Sequence, residues 1–200
     1  MSSRPEISEE QRVILDKLKA ELPEAVMPVT ASGLLGDDKK GKSTQVYVRA
    51  SMLNNGVATM NYRDHKLWSG SIIGSYPDDI EMNGARSTTH QGVPPKDTEG
   101  SMGAIVFVGP NVQDGADDCA WVLAWSVLGD GTTENKIYVE TGPSSKYIKG
   151  KINWGVIKTS LEHSKDVSSC PANHGAEASA SIDSGDSPAA AATFVVNNVK

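Results

Sequence analysis

Residues 100–140 read GSMGAIVFVGPNVQDGADDCAWVLAWSVLGDGTTENKIYVE. Apolar runs (AIVFV, CAWVLAWSV and KIYV) alternate with segments of Gly, Asn, Asp and Pro. That pattern predicts three strands joined by turns in an antiparallel β core. The middle run holds Trp121 and Trp125, side chains large enough to fill much of a small core. The stretch offers no nucleophile elbow, phosphate loop or metal cluster. Function is therefore sought in a surface carried by a β scaffold.

The 200 residues are 38% hydrophobic, enough for one sizeable core. A formal net charge of −6 argues against a nucleic-acid partner, which is met by a basic patch or stripe. It equally argues against polybasic attachment to anionic lipid, and leads to the expectation that membrane binding is insensitive to anionic lipid and to salt. No stretch approaches the ~20 apolar residues that span a bilayer. The opening residues MSSRPEISEEQR lack the apolar centre of a secretory signal. The expectation is a protein that is cytoplasmic or exported without a cleaved signal and acts peripherally at membranes. Cys119 and Cys170 then read as thiols, with a disulfide as the alternative.

Outward from the central stretch, Ser8 and Gln11 form a capping box, and Ile14, Leu18, Leu22 and Ala25 recur at helical spacing until Pro23 bends or ends the helix. This segment, residues 1–30, is set apart from a sandwich over 31–200. It either packs on or beside the sandwich or detaches to seek a membrane. Residues 37–42 (DDKKGK) read as a charged turn. Gln45–Met52 reads as a strand, Asn54-Asn55-Gly56 as a hairpin turn and Val57–Tyr62 as the returning strand. Leu67–Ile73 is a further strand with Gly70 at a bulge or bend. Thr88–Ser101 reads as a long polar loop. Lys151–Ser164 fits a helical period, residues 165–190 read as loop with a weak strand at Ala178–Ile182, and Thr193–Val199 closes the chain as a strand. The sum is about ten strands and two helices, an all-β sandwich with helices on its flanks.

The four histidines are widely separated, without Cys or carboxylate at ligand spacing, so no metal site is expected. Asp78-Asp79 and Asp117-Asp118 follow turn signals and read as solvated acids. No serine has an assignable His/Asp partner, so neither a catalytic residue nor a cofactor is expected. Tyr62, Trp68, Tyr76, Tyr138, Tyr147 and Trp154 remain, at strand ends, in turns or on the second helix. Such residues suit membrane interfaces, choline recognition and sugar stacking alike, or simply the rim of the core.

The succession YRDHKLWSGSI, YPDDIEMNG, GSMGAIVFVG, WVLAWS and NKIYVE, over roughly residues 44–199, resembles the actinoporin-like β-sandwich proteins, and within them the nakanori and plant jasmonate-induced group. The resemblance implies an antiparallel sandwich with two flanking helices and recognition of sphingomyelin, together with cholesterol, at a membrane surface. It carries the headgroup serines onto Ser69, in Trp68-Ser69-Gly70, and Ser126, in Trp125-Ser126-Val127. Ala104 and Ile105 fall at the small apolar wall, and Tyr138 and Trp154 at the aromatic positions. The aromatic loop that follows the second serine in actinoporins is here Leu128–Asn135 (LGDGTTEN), which has no aromatic and two acids. Interface insertion must then come from elsewhere or be weak. The alternatives are a sugar-binding lectin and a pore-forming cytolysin that uses the N-terminal helix.

Overall fold

The computed structural model describes residues 7–22, 46–93, 100–112 and 117–196. Eleven strands and two helices follow one another: α1 (Glu9–Ala20), β1 (Tyr47–Asn55), β2 (Met60–Ser69), β3 (Ser71–Ile73), β4 (Asp79–Ile80), β5 (Ala85–Gln91), β6 (Ser101–Gly109), β7 (Cys119–Val127), β8 (Lys136–Pro143), α2 (Trp154–Glu162), β9 (Val167–Asn173), β10 (Ala176–Ile182) and β11 (Ala189–Val196). They form a six-stranded sheet, β3-β5-β1-β11-β10-β9, facing a five-stranded one, β4-β2-β6-β7-β8. β1 and β11 run parallel; the other paired strands are antiparallel.

The central runs are continuously apolar because β6 and β7 are covered on both faces. Ile105, Phe107, Trp121, Leu123 and Trp125 point between the sheets into the main core. Ala104, Val106, Ala120, Val122 and Ala124 point the other way, into a second cluster under α2 with Ile157 and Leu161. A strand buried on one face alternates; one buried on both does not. Alanine recurs where a helix crosses a sheet, since a small side chain admits the helix closely. α1 likewise lies over Ala191 of β11, burying Leu15 and Leu18. It opens with the expected capping box, in which Gln11 N–H donates to Ser8 Oγ (3.2 Å) and Ser8 N–H to Gln11 Oε1 (2.9 Å). Lys19 ties its far end to Asp183 at 2.7 Å.

Several expectations change. Asn54-Asn55-Gly56 is no hairpin, because β1 and β2 lie in different sheets. The fully buried Asn54 turns its amide to backbone, donating to Ala58 O and Ile80 O (both 2.8 Å) and accepting from Gly56 N–H. A crossover between sheets is thereby satisfied, where the sequence suggested a return along one. The strand expected at Leu67–Ile73 is cut at Gly70, where the chain leaves one sheet for the other. Gly70 has φ +86°, and a Cβ there would stand 2.5 Å from Gln91 O. Thr88–Gln91 belongs to β5 rather than to a loop, and 165–190 holds a hairpin, β9–β10. Pro23, the charged turn at 37–42, the boundary at residue 30 and the end of the final strand lie outside the described residues.

Candidate functional site

The outer face of the five-stranded sheet gathers most of the candidate residues. Register places Lys66, Ala104, Ala124 and Tyr138 in one cross-strand row. The next row runs Ser69, Met102, Ser126, Lys136. Trp68, Met102, Tyr138 and Trp154, each half-buried, pack against the cluster under α2. Ser126 is buried beside them on the same face. Asn153 caps α2 by accepting from Val156 N–H (3.3 Å) and so fixes where Trp154 enters. Ala104 and Ala124 are fully buried and underlie this face, whose outward surface is the half-buried Trp68, Met102, Tyr138 and Trp154.

One carboxylate organises its rim. Glu140 accepts from the Tyr138 hydroxyl (2.9 Å) and the Tyr147 hydroxyl (2.8 Å), with the Lys146 ammonium at 3.9 Å. Burial first, and then the Glu140 charge, push both phenols well above their usual range. Both hydroxyls therefore remain donors. Past Tyr138 a cleft of about 290 Å³ opens between the end of α2 and the start of β9, lined by Ser160, His163, Ser164 and Lys165.

One candidate falls elsewhere. Ile105 points into the core between the sheets and is fully buried, so of the two wall candidates only Ala104 lies on this side of the sheet. The Ser69 hydroxyl donates to Gly100 O at 2.8 Å. Its row matches that of Ser126, with β6 between them. The loop after Ser126 is held by Asp130, which accepts from Thr132 N–H (2.8 Å), Thr133 N–H (2.7 Å) and the Thr133 hydroxyl (2.6 Å). Those bonds, the Thr133 hydroxyl first, hold its carboxyl below the usual range. Met102, Glu140 and Lys66 are not singled out by the sequence: cross-strand register brings in Met102 and Lys66, and Glu140 follows Tyr138 by two residues on β8.

A second polar group closes the edge where β2 faces β5. Tyr62 Oη and His65 Nδ1 share a 2.6 Å hydrogen bond, as do Tyr76 Oη and His90 Nε2. The His65 and Tyr76 rings are 4.7 Å apart and the His90 and Trp125 rings 4.5 Å. Trp125 Nε1 donates to Ser101 Oγ (3.1 Å). Histidines distant in sequence thus meet through Tyr76. His90 is 1% exposed, and its Nδ1 has no partner among the described residues. Burial, then the neighbouring His65, bring its pKa down to about 4. Cys119 is buried and Cys170 half-buried, both as free thiols.

A model of the Nakanori-like protein family matches residues 8–199. The jasmonate-induced protein homolog of Atriplex canescens is 36% identical over 115 residues, 56% of this chain and 58% of its own. The chain thus spans little more than half the length of that relative. Among solved structures, the lipid-binding protein Nakanori superposes with a TM-score of 0.61 at 14% identity, over 74% of this chain and 70% of that one. A variant of the Xerocomus chrysenteron lectin superposes with a TM-score of 0.50 at 15% identity, over 76% and 98%. At these identities both likenesses concern the fold.

Proposed function

Because the chain belongs to the Nakanori-like protein family, we propose that it binds membrane sphingomyelin, together with cholesterol, catalysing no reaction and leaving the bilayer intact. The observation that carries this reading is the convergence of Trp68, Met102, Tyr138 and Trp154 on the outer face of the five-stranded sheet beside Ser126. A quaternary ammonium is held by aromatic faces and nearby negative charge, here the two tryptophans, the Tyr138 ring and Glu140. The phosphate of the same headgroup needs donors: the Ser126 hydroxyl, and Lys66 one row away. The fold shared with a lipid-binding protein supports the same choice.

Vesicle flotation tests it, with sphingomyelin, phosphatidylcholine or glycolipid, each with and without cholesterol. Sphingomyelin with cholesterol is expected to carry the protein upward where the other mixtures do not. Flotation with glycolipid alone, blocked by free sugar, would favour the lectin reading.

A further inference from the structure

Helix α1 has Glu9 and Glu10 in its first turn and Lys17 and Lys19 in its last, as the helix dipole favours. Helix α2 departs from this. Its first turn holds no acid, and the chain that leads into it reads KYIKGKINW, with Lys146, Lys149 and Lys151 before the helix and Lys158 within it. No Asp or Glu falls between Glu140 and Glu162, in a chain of net charge −6. Positive charge beside the positive end of a helix does nothing for folding. A local rule broken without a structural gain points to a use outside the fold.

The surroundings specify that use. Ile148 to Lys151 form a tight turn closed by Lys151 N–H donating to Ile148 O (2.8 Å). Gly150 at its tip has φ +76°, and its N–H donates to Asp64 Oδ2 (3.3 Å). Lys149 and Lys151 are exposed. Lys146 lies 3.9 Å from Glu140 and over the Tyr147 ring at 5.2 Å, and Lys158 lies 3.8 Å from Glu162. Between the lysines stand Ile148, 45% exposed, Val156, 53% exposed, and the half-buried Trp154. Exposed aliphatic and indole groups interleaved with lysine are what a lipid interface accommodates, the apolar groups below the headgroups and the ammoniums among them. A soluble polyanion would have no use for Ile148 and Val156.

We propose that the edge from Lys146 to Lys158 docks on an anionic lipid surface. It adjoins the face that holds Trp154, so it rests on the lipid-binding reading and adds to it a dependence on membrane charge. The whole-chain charge conceals this edge, and the expectation of indifference to anionic lipid came from that average.

The test is co-sedimentation of the full chain and of Lys149→Gln/Lys151→Gln with three kinds of vesicle: phosphatidylcholine, phosphatidylcholine with phosphatidylserine, and sphingomyelin/cholesterol. Each lysine near an anionic surface strengthens binding about fivefold, so the double variant should lose on the order of thirtyfold on phosphatidylserine vesicles. That gain should vanish in high salt, and binding to sphingomyelin/cholesterol should be equal for both proteins. Equal binding of both proteins to phosphatidylserine vesicles, or no gain from phosphatidylserine, overturns the edge; sphingomyelin binding that persists then leaves the headgroup reading standing. A phosphatidylserine gain without sphingomyelin binding supports the edge and removes the headgroup reading. Retention on heparin without a vesicle gain overturns the edge in favour of a soluble polyanion.

Discussion

Acidification should destabilise this protein in part through one imidazole. His90 lies between Tyr76 and Trp125 at the closed edge of the sandwich, with Nε2 engaged, Nδ1 unpartnered and 1% of the residue exposed. Burial first, then the neighbouring His65, bring its pKa down to about 4 from the ordinary 6.5. The folded state therefore resists a proton that the unfolded chain accepts. The stability contributed by neutral His90 is complete above pH 6.5 and is lost as pH falls toward 4. From the two pKa values the loss is about 2 kcal/mol at pH 5 and about 3 kcal/mol at pH 4. For a chain of this size, 2 kcal/mol corresponds to roughly 4–8 °C in Tm. Carboxylates titrate over the same range, so the informative quantity is a difference. Urea unfolding at pH 7 and pH 5 is measured for the wild type and for His90→Gln. The variant begins less stable, yet should lose about 2 kcal/mol less between the two pH values. Equal losses would show that His90 takes up no excess proton on unfolding and would refute the argument.

Trp154→Ala should weaken binding to sphingomyelin/cholesterol vesicles by about 1–2 kcal/mol, one aromatic contact with a cation, while Tm changes little because the side chain is only half-buried. A loss of ~3–5 kcal/mol of stability instead would make it a core residue. Dye release from the same vesicles should stay at background under full binding. α1 has 12 residues, about 18 Å at ~1.5 Å each, short of a ~30 Å hydrocarbon core. It is also held down by Leu15, Leu18 and the Lys19–Asp183 pair. Release abolished by deleting residues 1–22 would favour the cytolysin. Gly103→Ala should cost about 1–3 kcal/mol in urea unfolding, since its Cβ would meet the Trp125 ring at 2.7 Å and Leu67 at 3.0 Å; an unchanged midpoint would show that the ring yields.

What could be read in the sequence tracks what is local. The three central strands, the Ser8–Gln11 capping box and the second helix rest on periodicity and caps, and each has its counterpart in the structure. The Asn54–Gly56 turn misled because its side chain serves a crossover whose partners, Ala58 and Ile80, lie elsewhere in the chain. β5 (ARSTTHQ) and β9 (VSSCPAN) are too polar to announce themselves. They are strands because β1, β3 and β10 supply their hydrogen-bond partners. At the candidate site, residue type singled out Trp68, Tyr138 and Trp154 as candidates and the resemblance added Ser126, while the face of Ile105 depended on parity along β6, which a single residue's shift reverses. Met102 enters only through register, whereas Glu140 shares a face with Tyr138 two residues before it on β8. The lysine edge was visible all along as a stretch without acids between Glu140 and Glu162, hidden by summing charge over the whole chain.

The central claim concerns a place, and the four tryptophans report on it. Trp121 and Trp125 are buried in the core, whereas Trp68 and Trp154 stand at the outer face of the five-stranded sheet. Their indole N–H signals, recorded by NMR as sphingomyelin/cholesterol nanodiscs are added, should divide accordingly. Trp68 and Trp154 should shift while Trp121 and Trp125 hold, and phosphatidylcholine discs should move none. Nanodisc binding that leaves Trp68 and Trp154 unmoved would contradict the account and place the lipid on another surface.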